Sequence, residues 1–513
     1  MEEKEKNHLG VVVSTQNSPN TEFFYFVVTS GKVKRGQFVK LDVPEGTLLA
    51  LITDIFKSNK YFERADSVKE FENRGSSILE QFPASEWEYT VAVAKPLGLF
   101  QEGQTGKLAI PPSPGCRVFS ADNLLLKKFY NMDDEGLYIG NVEAHNLQVK
   151  LNMTKLLKKH LAILSISGAG KSYCASVLFE ELLSRSEKLG RIACIVFDPH
   201  GEYSCFAEPS DGGFTDFSSK TIVIKGSDIR ISVSSFGSKM LSSLATGLST
   251  VQLRALNKAI ATLKEQMRSG SGPFELKDIM DAVKKLDDIK DATKDVVISW
   301  LSDIESMQLF AKLDYPNIAQ ITQPGKLVVI DLSDIIDMKK KQVIVSYFSQ
   351  ELFNLRRKEK IPPFLLVIEE SHQFCPEKTK EENAISRNII RTIAREGRKF
   401  GACLCLISQR PVHLDTTTLS QCNTKIILRI VNPYDLKHIA ESAEAIDQRS
   451  LEMLTSLPVG EALIVGEAVG YPLFFRVRKR RSKPSKHETT LEDEAKKFEL
   501  KKEKDQMEAQ AFL

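Results

Sequence analysis

Residues 8 to about 115 carry short apolar runs rich in β-branched and aromatic side chains. They include Gly10-Val-Val-Val, Phe23-Phe-Tyr-Phe-Val-Val, Gln37-Phe-Val-Lys-Leu-Asp-Val, Leu48-Leu-Ala-Leu-Ile-Thr-Asp-Ile-Phe and Tyr89-Thr-Val-Ala-Val-Ala-Lys. Turn signals at Ser30-Gly31, Arg35-Gly36 and Pro44-Glu-Gly46 separate several of them. This spacing predicts an all-β barrel or sandwich. The breaker cluster Pro111-Pro-Ser-Pro-Gly115 predicts its edge.

From about residue 140 the pattern changes. Apolar runs beginning at His160, Arg191, Lys326, Phe364, Ala402 and Lys425 alternate with longer helical stretches. That alternation predicts an α/β domain with a mostly parallel sheet. Between about 240 and 320 the amphipathic stretches Thr250 to Arg268 and Leu276 to Leu286 predict a helical insertion.

The chain has 513 residues, enough for about three domains. Lys plus Arg number 70 and Asp plus Glu 67, for a net charge of +3. A uniformly basic coat is excluded, so any nucleic-acid surface must be local. The eight cysteines form no C-x-x-C pair and read as small core residues in a reducing compartment. No stretch approaches the roughly 18 apolar residues of a membrane span, and no apolar segment follows the charged start. A cytoplasmic protein is expected. Arg476 to Lys486 holds seven basic residues and no acidic one. It reads as a solvated link or as a phosphate-contacting or intersubunit arm. Beyond it, Leu491, Ala495 and Phe498 share a helical spacing.

Candidate chemistry enters at Ser165-Ile-Ser-Gly-Ala-Gly-Lys-Ser172. It follows a strand and precedes a helix, the context of a phosphate-binding P-loop. Ser167, Gly168, Ala169 and Gly170 supply backbone N–H groups, and Tyr173 follows in the helix. Lys171 provides a charge for the β- and γ-phosphates, and Ser172 a hydroxyl for Mg²⁺. Leu365-Leu-Val-Ile-Glu369-Glu370 describes a buried strand ending in two carboxylates. Glu369 is expected on the magnesium side and Glu370 on the attacking water. Asp198, in Asp198-Pro-His-Gly-Glu-Tyr, ends another strand; it would support the water or metal shell, or open a turn. Arg391, Arg395 and Arg398 lie at i, i+4 and i+7 and so share a helix face. Arg395 is the expected arginine finger toward a neighbour's γ-phosphate. Gln409, at a strand end, fits a γ-phosphate sensor.

Together with Glu369-Glu370-Ser-His, Arg395-Glu-Gly-Arg-Lys-Phe-Gly, Ser408-Gln-Arg-Pro, Leu419-Ser-Gln-Cys-Asn-Thr-Lys and Asn432-Pro-Tyr-Asp, these motifs resemble the HerA family of hexameric ATPases, relatives of FtsK-type DNA translocases. The resemblance spans nearly the whole chain. Ser165 stands in place of the first P-loop glycine, Glu369 where many P-loop enzymes have Asp, and Ser371 where the family often has Ala. It implies a RecA-like core at 151–480 with the insertion at about 240–320. It also implies a HAS-type barrel at 1–115, a connecting segment at 116–150 and a charged extension at 481–513. The implied cofactors are ATP and Mg²⁺. The implied partners are double-stranded DNA, five further copies in a homo-hexamer and a nuclease of the NurA type. The loop around Lys378 to Arg387 and the segment Arg410 to Asn423 are candidate DNA contacts. Two other functions share these motifs: a nucleotide-dependent scaffold that activates a nuclease, and a related motor that moves another polymer.

Overall fold

A computed structural model describes residues 8–485 and scattered residues of 492–500. It leaves out 16–17, most of 60–86, 102–103, 107, 143, 211, 235–243, 245–246, 379–383 and 444–445. Residues 379–383, half of the Lys378–Arg387 loop, and Leu491 therefore fall outside the described residues. The chain divides into two compact units, Met1–Asn152 with Glu461–Arg478, and Met153–Gly460 with Lys479–Leu513.

In the first unit, seven strands form an antiparallel sheet: β1 (His8–Val13), β2 (Phe24–Val28), β3 (Phe38–Val43), β4 (Gly46–Asn59), β5 (Glu88–Gln101), β6 (Gln104–Gly106) and β7 (Arg117–Ser120). The order β2-β1-β7-β3-β4-β5 closes through a β2–β5 pairing, and β6 extends β5. Six strands therefore make a barrel and leave no edge among them. Alternating residues fill it. Phe24 lies opposite Ala94 and Phe26 opposite Ala92, and all four are buried. A large ring facing a methyl lets two neighbouring strands share a narrow interior.

The expected edge at residue 115 falls too early. The amide of Val12 donates to the carbonyl of Cys116, and that of Gly115 to Val12, which leads β7 into the ladder beside β1. The Pro-Gly cluster is a turn within the barrel. The expected connecting segment likewise holds a hairpin, β8 (Leu137–Val142) with β9 (Leu147–Leu151). β8 also pairs with the late strand Leu473–Val477.

The second unit is built on seven parallel strands: β10 (Leu161–Leu164), β11 (Ala193–Asp198), β12 (Thr221–Lys225), β13 (Leu327–Asp331), β14 (Phe364–Ile368), β15 (Ala402–Ser408) and β16 (Thr424–Ile427). Their order is β12-β13-β11-β14-β15-β10-β16. Six match the apolar runs. β12 lies outside those runs, because five residues with a polar residue at each end carry little periodic signal. The five inner strands other than β12 and β16 are buried at every position, as a parallel sheet covered on both faces requires. Cys403 and Cys405 are buried together in β15, and no cysteine is in a disulfide.

The helices that matter below are α1 (Lys171–Ser184), α2 (Thr250–Arg268), α3 (Leu276–Lys284), α4 (Asp291–Ser306), α5 (Met338–Arg357), α6 (Arg387–Phe400) and α7 (Thr416–Gln421). Helices α2, α3 and α4 form the expected insertion. α6 packs close to the sheet through Gly397, where an added Cβ would lie 2.3 Å from the carbonyl oxygen of Ala402. Gly401, at φ 69°, ends it in the left-handed conformation.

His160 ties three of these elements together. It enters β10 at φ 64° and is 2% exposed. Its Nδ1 accepts the amide of Leu404 in β15 at 3.0 Å. Nε2 therefore carries the proton and donates to the Ala394 carbonyl of α6 at 3.0 Å. Burial lowers its pKa to about 4. The folded state holds the neutral ring, so this contribution is complete above the unfolded value of 6.5 and is lost as pH falls toward 4. The expected loss is on the order of 3 kcal/mol. His160→Asn keeps a residue tolerant of positive φ and removes the titration. Urea unfolding at pH 7 and pH 4.5 should show a shallower pH dependence in the variant. Equal slopes would refute this role.

Candidate functional site

Parallel strands bring their carboxyl ends to one edge, and the candidate residues collect there. β10 runs beside β15, with Leu164 opposite Ser408. β11 runs beside β14, with Phe197 opposite Ile368. The P-loop, Gln409, Asp198 and the Glu369-Glu370 pair thus leave adjacent strands at the same level.

Ser165 is buried, and its hydroxyl donates to the Ile166 carbonyl at 2.9 Å. The side chain replacing the first glycine is absorbed locally. Gly168 and Gly170 take φ 77° and 101°, which other residues rarely adopt. Gly170 caps α1 with no side-chain acceptor. The first-turn amides of α1 thereby remain open to an anion.

Lys171 reaches across to β14. Its Nζ lies 2.8 Å from Glu369 Oε1 and 2.9 Å from Glu370 Oε1; the aligned hydrogen bond is the one to Glu370. Burial disfavours the ammonium, but Glu369 and Glu370 outweigh it and hold Lys171 above the ordinary lysine value. Glu369 is fully buried. Burial pushes its pKa up to about 7 against the pull of Lys171, and the charges of Glu202 and Glu370 add to the rise. Glu370 occupies the left-handed region at φ 48°, ψ 43°. A non-glycine residue held there stores strain, typically about 1–3 kcal/mol. His372 Nδ1 lies 3.3 Å from Glu370 Oε2 and 3.2 Å from Ser408 Oγ. Burial lowers its pKa, so the neutral ring is favoured.

Asp198 is fully buried. Its carboxylate accepts the amides of Gly201 and Tyr203 at 2.8 Å and of His200 at 3.3 Å. Burial raises its pKa to about 6. It folds the following loop so that the Tyr203 hydroxyl donates to Glu369 Oε2 at 3.2 Å. The structure therefore puts Asp198 behind Glu369, one residue removed from the phosphate site. Gln409 is half-buried just past β15.

The three arginines of α6 separate. Arg391 forks onto the buried Asp415, which also caps α7 through Thr418. Arg395 and Arg398 are exposed and make no ion pair or hydrogen bond among the described residues. Shared helical spacing therefore did not mean shared duty.

A cavity of about 380 Å³ lies over the P-loop and is lined also by Glu202, Arg480 and Ser485. None of those three is among the site residues that the sequence motifs mark. Glu202 and Tyr203 lie within the Asp198 motif, so that signal was present. Arg480 and Ser485 sit in the basic run, where spacing alone distinguishes no residue. Buried Glu202 Oε2 lacks a hydrogen-bond donor among the described residues; with Glu369 Oε1, beside the Lys171 ammonium, and Glu370 Oε2, beside His372 Nδ1, it makes an oxygen set suited to a hard cation. Among the described residues no cluster of three or more His, Cys, Asp or Glu would hold a metal by itself. A cation would need phosphate oxygens as well, the habit of magnesium.

A family model described as "Helicase HerA, central domain" matches residues 137–352. A probable DNA double-strand break repair helicase HerA of Methanocaldococcus jannaschii is 30% identical over 452 residues, covering 76% of this chain and 86% of that one. The chain belongs to the HerA helicase family. A further HerA-family relative, the DNA double-strand break repair helicase HerA of Saccharolobus solfataricus, is 29% identical and covers 88% and 89% of the two chains. VirB4 of Thermoanaerobacter pseudethanolicus shares the fold, with a TM-score of 0.52 at 16% identity over 68% of this chain and 97% of that one. This HerA-family chain is a nucleotide-binding, ATP-hydrolysing helicase with a P-loop core and an N-terminal barrel. None of its described helices is long and apolar enough to cross a membrane.

Proposed function

We propose that the chain works as a cytoplasmic homo-hexameric motor that translocates double-stranded DNA and serves a NurA-type nuclease in end resection during double-strand break repair. The observation that supports this reading is the split between the two halves of its chemistry. Lys171, Glu369 and Glu370 meet within 2.9 Å, while Arg395 stands exposed and without an ion pair among the described residues, available to a neighbouring copy.

An arriving triphosphate competes with Glu369 and Glu370 for Lys171. Released from the ammonium, Glu370 orients the attacking water, its pose already set by the backbone. Magnesium, carried by the phosphates and held by Ser172 and Glu369, would neutralise charge on the β- and γ-phosphate oxygens. Asp198 and Tyr203 keep Glu369 in register, and Gln409 reads the γ-phosphate. Arg395 from the adjoining copy completes the charge compensation. Arg410 to Asn423 remains a candidate DNA-contacting segment.

Glu370→Gln should retain ATP binding and lower turnover by about 10²–10⁴-fold. The decisive experiment measures ATP hydrolysis with and without duplex DNA, with particle mass in the same buffer. Stimulation by duplex in a six-copy particle supports the motor. If DNA has no effect and Glu370→Gln still supports full nuclease activity, the chain is a scaffold.

A further inference from the structure

The cavity above the P-loop has a wall that phosphate binding does not require. Lys171 and Ser172 serve its phosphate end. Tyr173 and Ser176 carry the lining along α1, and Arg480 and Ser485 face them from the C-terminal segment. This segment belongs to the same compact unit as the P-loop.

Its placement has a clear cause. Glu180 on α1 is fully buried and needs donors. Its Oε1 accepts the amide of Arg481 at 2.8 Å, and the amide and hydroxyl of Ser482 at 2.7 Å each. Next to it, the Arg480 amide donates to the Tyr173 hydroxyl at 2.6 Å. Lys479 to Ser485 is therefore strapped along the P-loop helix. Its reading as a solvated link does not hold for these residues.

The strap immobilises one planar group. Arg480 Nε donates to Ser482 Oγ at 2.8 Å, and Nη2 to the Lys483 carbonyl at 2.5 Å. Nη2 also lies 3.2 Å from Cys205 Sγ, and the guanidinium carbon is 5.6 Å from the centre of the Phe206 ring. Phe206 itself is 2% exposed and packed against Phe179 of α1. The guanidinium is thus a flat plate, bonded along its edge and backed by an aromatic ring. A plate already fixed stacks on a flat base with little further loss of freedom.

We propose that the strap Lys479–Ser485 forms the nucleoside wall of the ATP site and that Arg480 holds the base by stacking. This deepens the nucleotide reading of the P-loop and rests on it. The test compares full-length wild type, Arg480→Ala, Arg480→Lys and Lys171→Ala by calorimetry with ATP and with inorganic tripolyphosphate. Arg480→Ala should weaken ATP about tenfold, as loss of one stacking contact to a base does, and leave tripolyphosphate unchanged. Arg480→Lys keeps the charge and the stem, so it guards against a folding defect; lacking the plane, it should lose ATP affinity similarly. Wild-type ATP affinity in both variants would overturn the proposal. So would an equal loss for ATP and tripolyphosphate, which would mark a phosphate contact or a collapsed site. Lys171→Ala reports separately on the P-loop: if it binds both ligands normally, the nucleotide site itself is misplaced, whatever Arg480 does.

Discussion

Replacing Arg395 by alanine should lower ATP turnover by about 10³–10⁵-fold with ATP affinity unchanged. The guanidinium is exposed and has no partner within the described residues, so its removal costs the fold little. It lies outside the residues that line the P-loop cavity, so binding in the same chain does not depend on it. What disappears is positive charge delivered to the γ-phosphate as the transition state forms. Arg391 provides the contrast. Arg391→Ala would strand the buried Asp415 and loosen the cap of α7, so its first effect should be on unfolding. Steady-state hydrolysis, ATP titration and thermal melts on both variants separate the two cases. Mixing gives the sharper test. Arg395→Ala subunits added to wild type should poison hydrolysis by more than their share. Hydrolysis by isolated monomers at the assembled rate would end the claim that the finger acts between copies.

Lys171→Ala should abolish nucleotide binding and turnover, and it should also weaken the fold. The ammonium faces two carboxylates that are 0% and 1% exposed. Without it, Glu369 and Glu370 share a buried space with no cation between them. Breaking a buried pair from one side costs about 3–5 kcal/mol. The penalty depends on pH with a defined sign. Glu369 is already raised to about 7, above the unfolded carboxyl value, so the folded state binds the extra proton. Stability conferred by that proton is present at low pH and is lost as pH rises through the folded pKa. Removing Lys171 raises that pKa further, so the variant should be more destabilised at pH 8 than at pH 6. Adding Glu369→Gln and Glu370→Gln should restore the melting temperature and leave ATP binding absent. Thermal melts at the two pH values, paired with ATP titration, check both halves. A variant as stable as wild type at pH 8 would show that the three groups do not form the cluster described.

Much of this was legible in the chain because it is local. The P-loop needs a strand, glycines that accept positive φ and a lysine at the start of a helix, all within Leu161 to Ser184. The apolar run ending at Glu369-Glu370 marks its own active edge. Helix α6 announces itself by its apolar spacing and ends at Gly401. Other features were hidden because they depend on partners distant in sequence. Arg391 and Arg395 are alike until Asp415 arrives, 24 positions later, to claim one of them. The turn at Pro111–Gly115 looks like a border until Val12 bonds across it.

Local pattern alone determined the strand–loop–helix phosphate site, the acidic strand end and the barrel's alternation, since each arises from neighbours within a few residues. Tertiary structure alone decided which charges pair and which stay free. It set Lys171 between Glu369 and Glu370, put Asp198 to work on a loop, and laid Arg480 against α1. Those outcomes follow from burial. A charged or polar group removed from water takes whatever partner the folded chain brings to it, and sequence spacing does not record that partner.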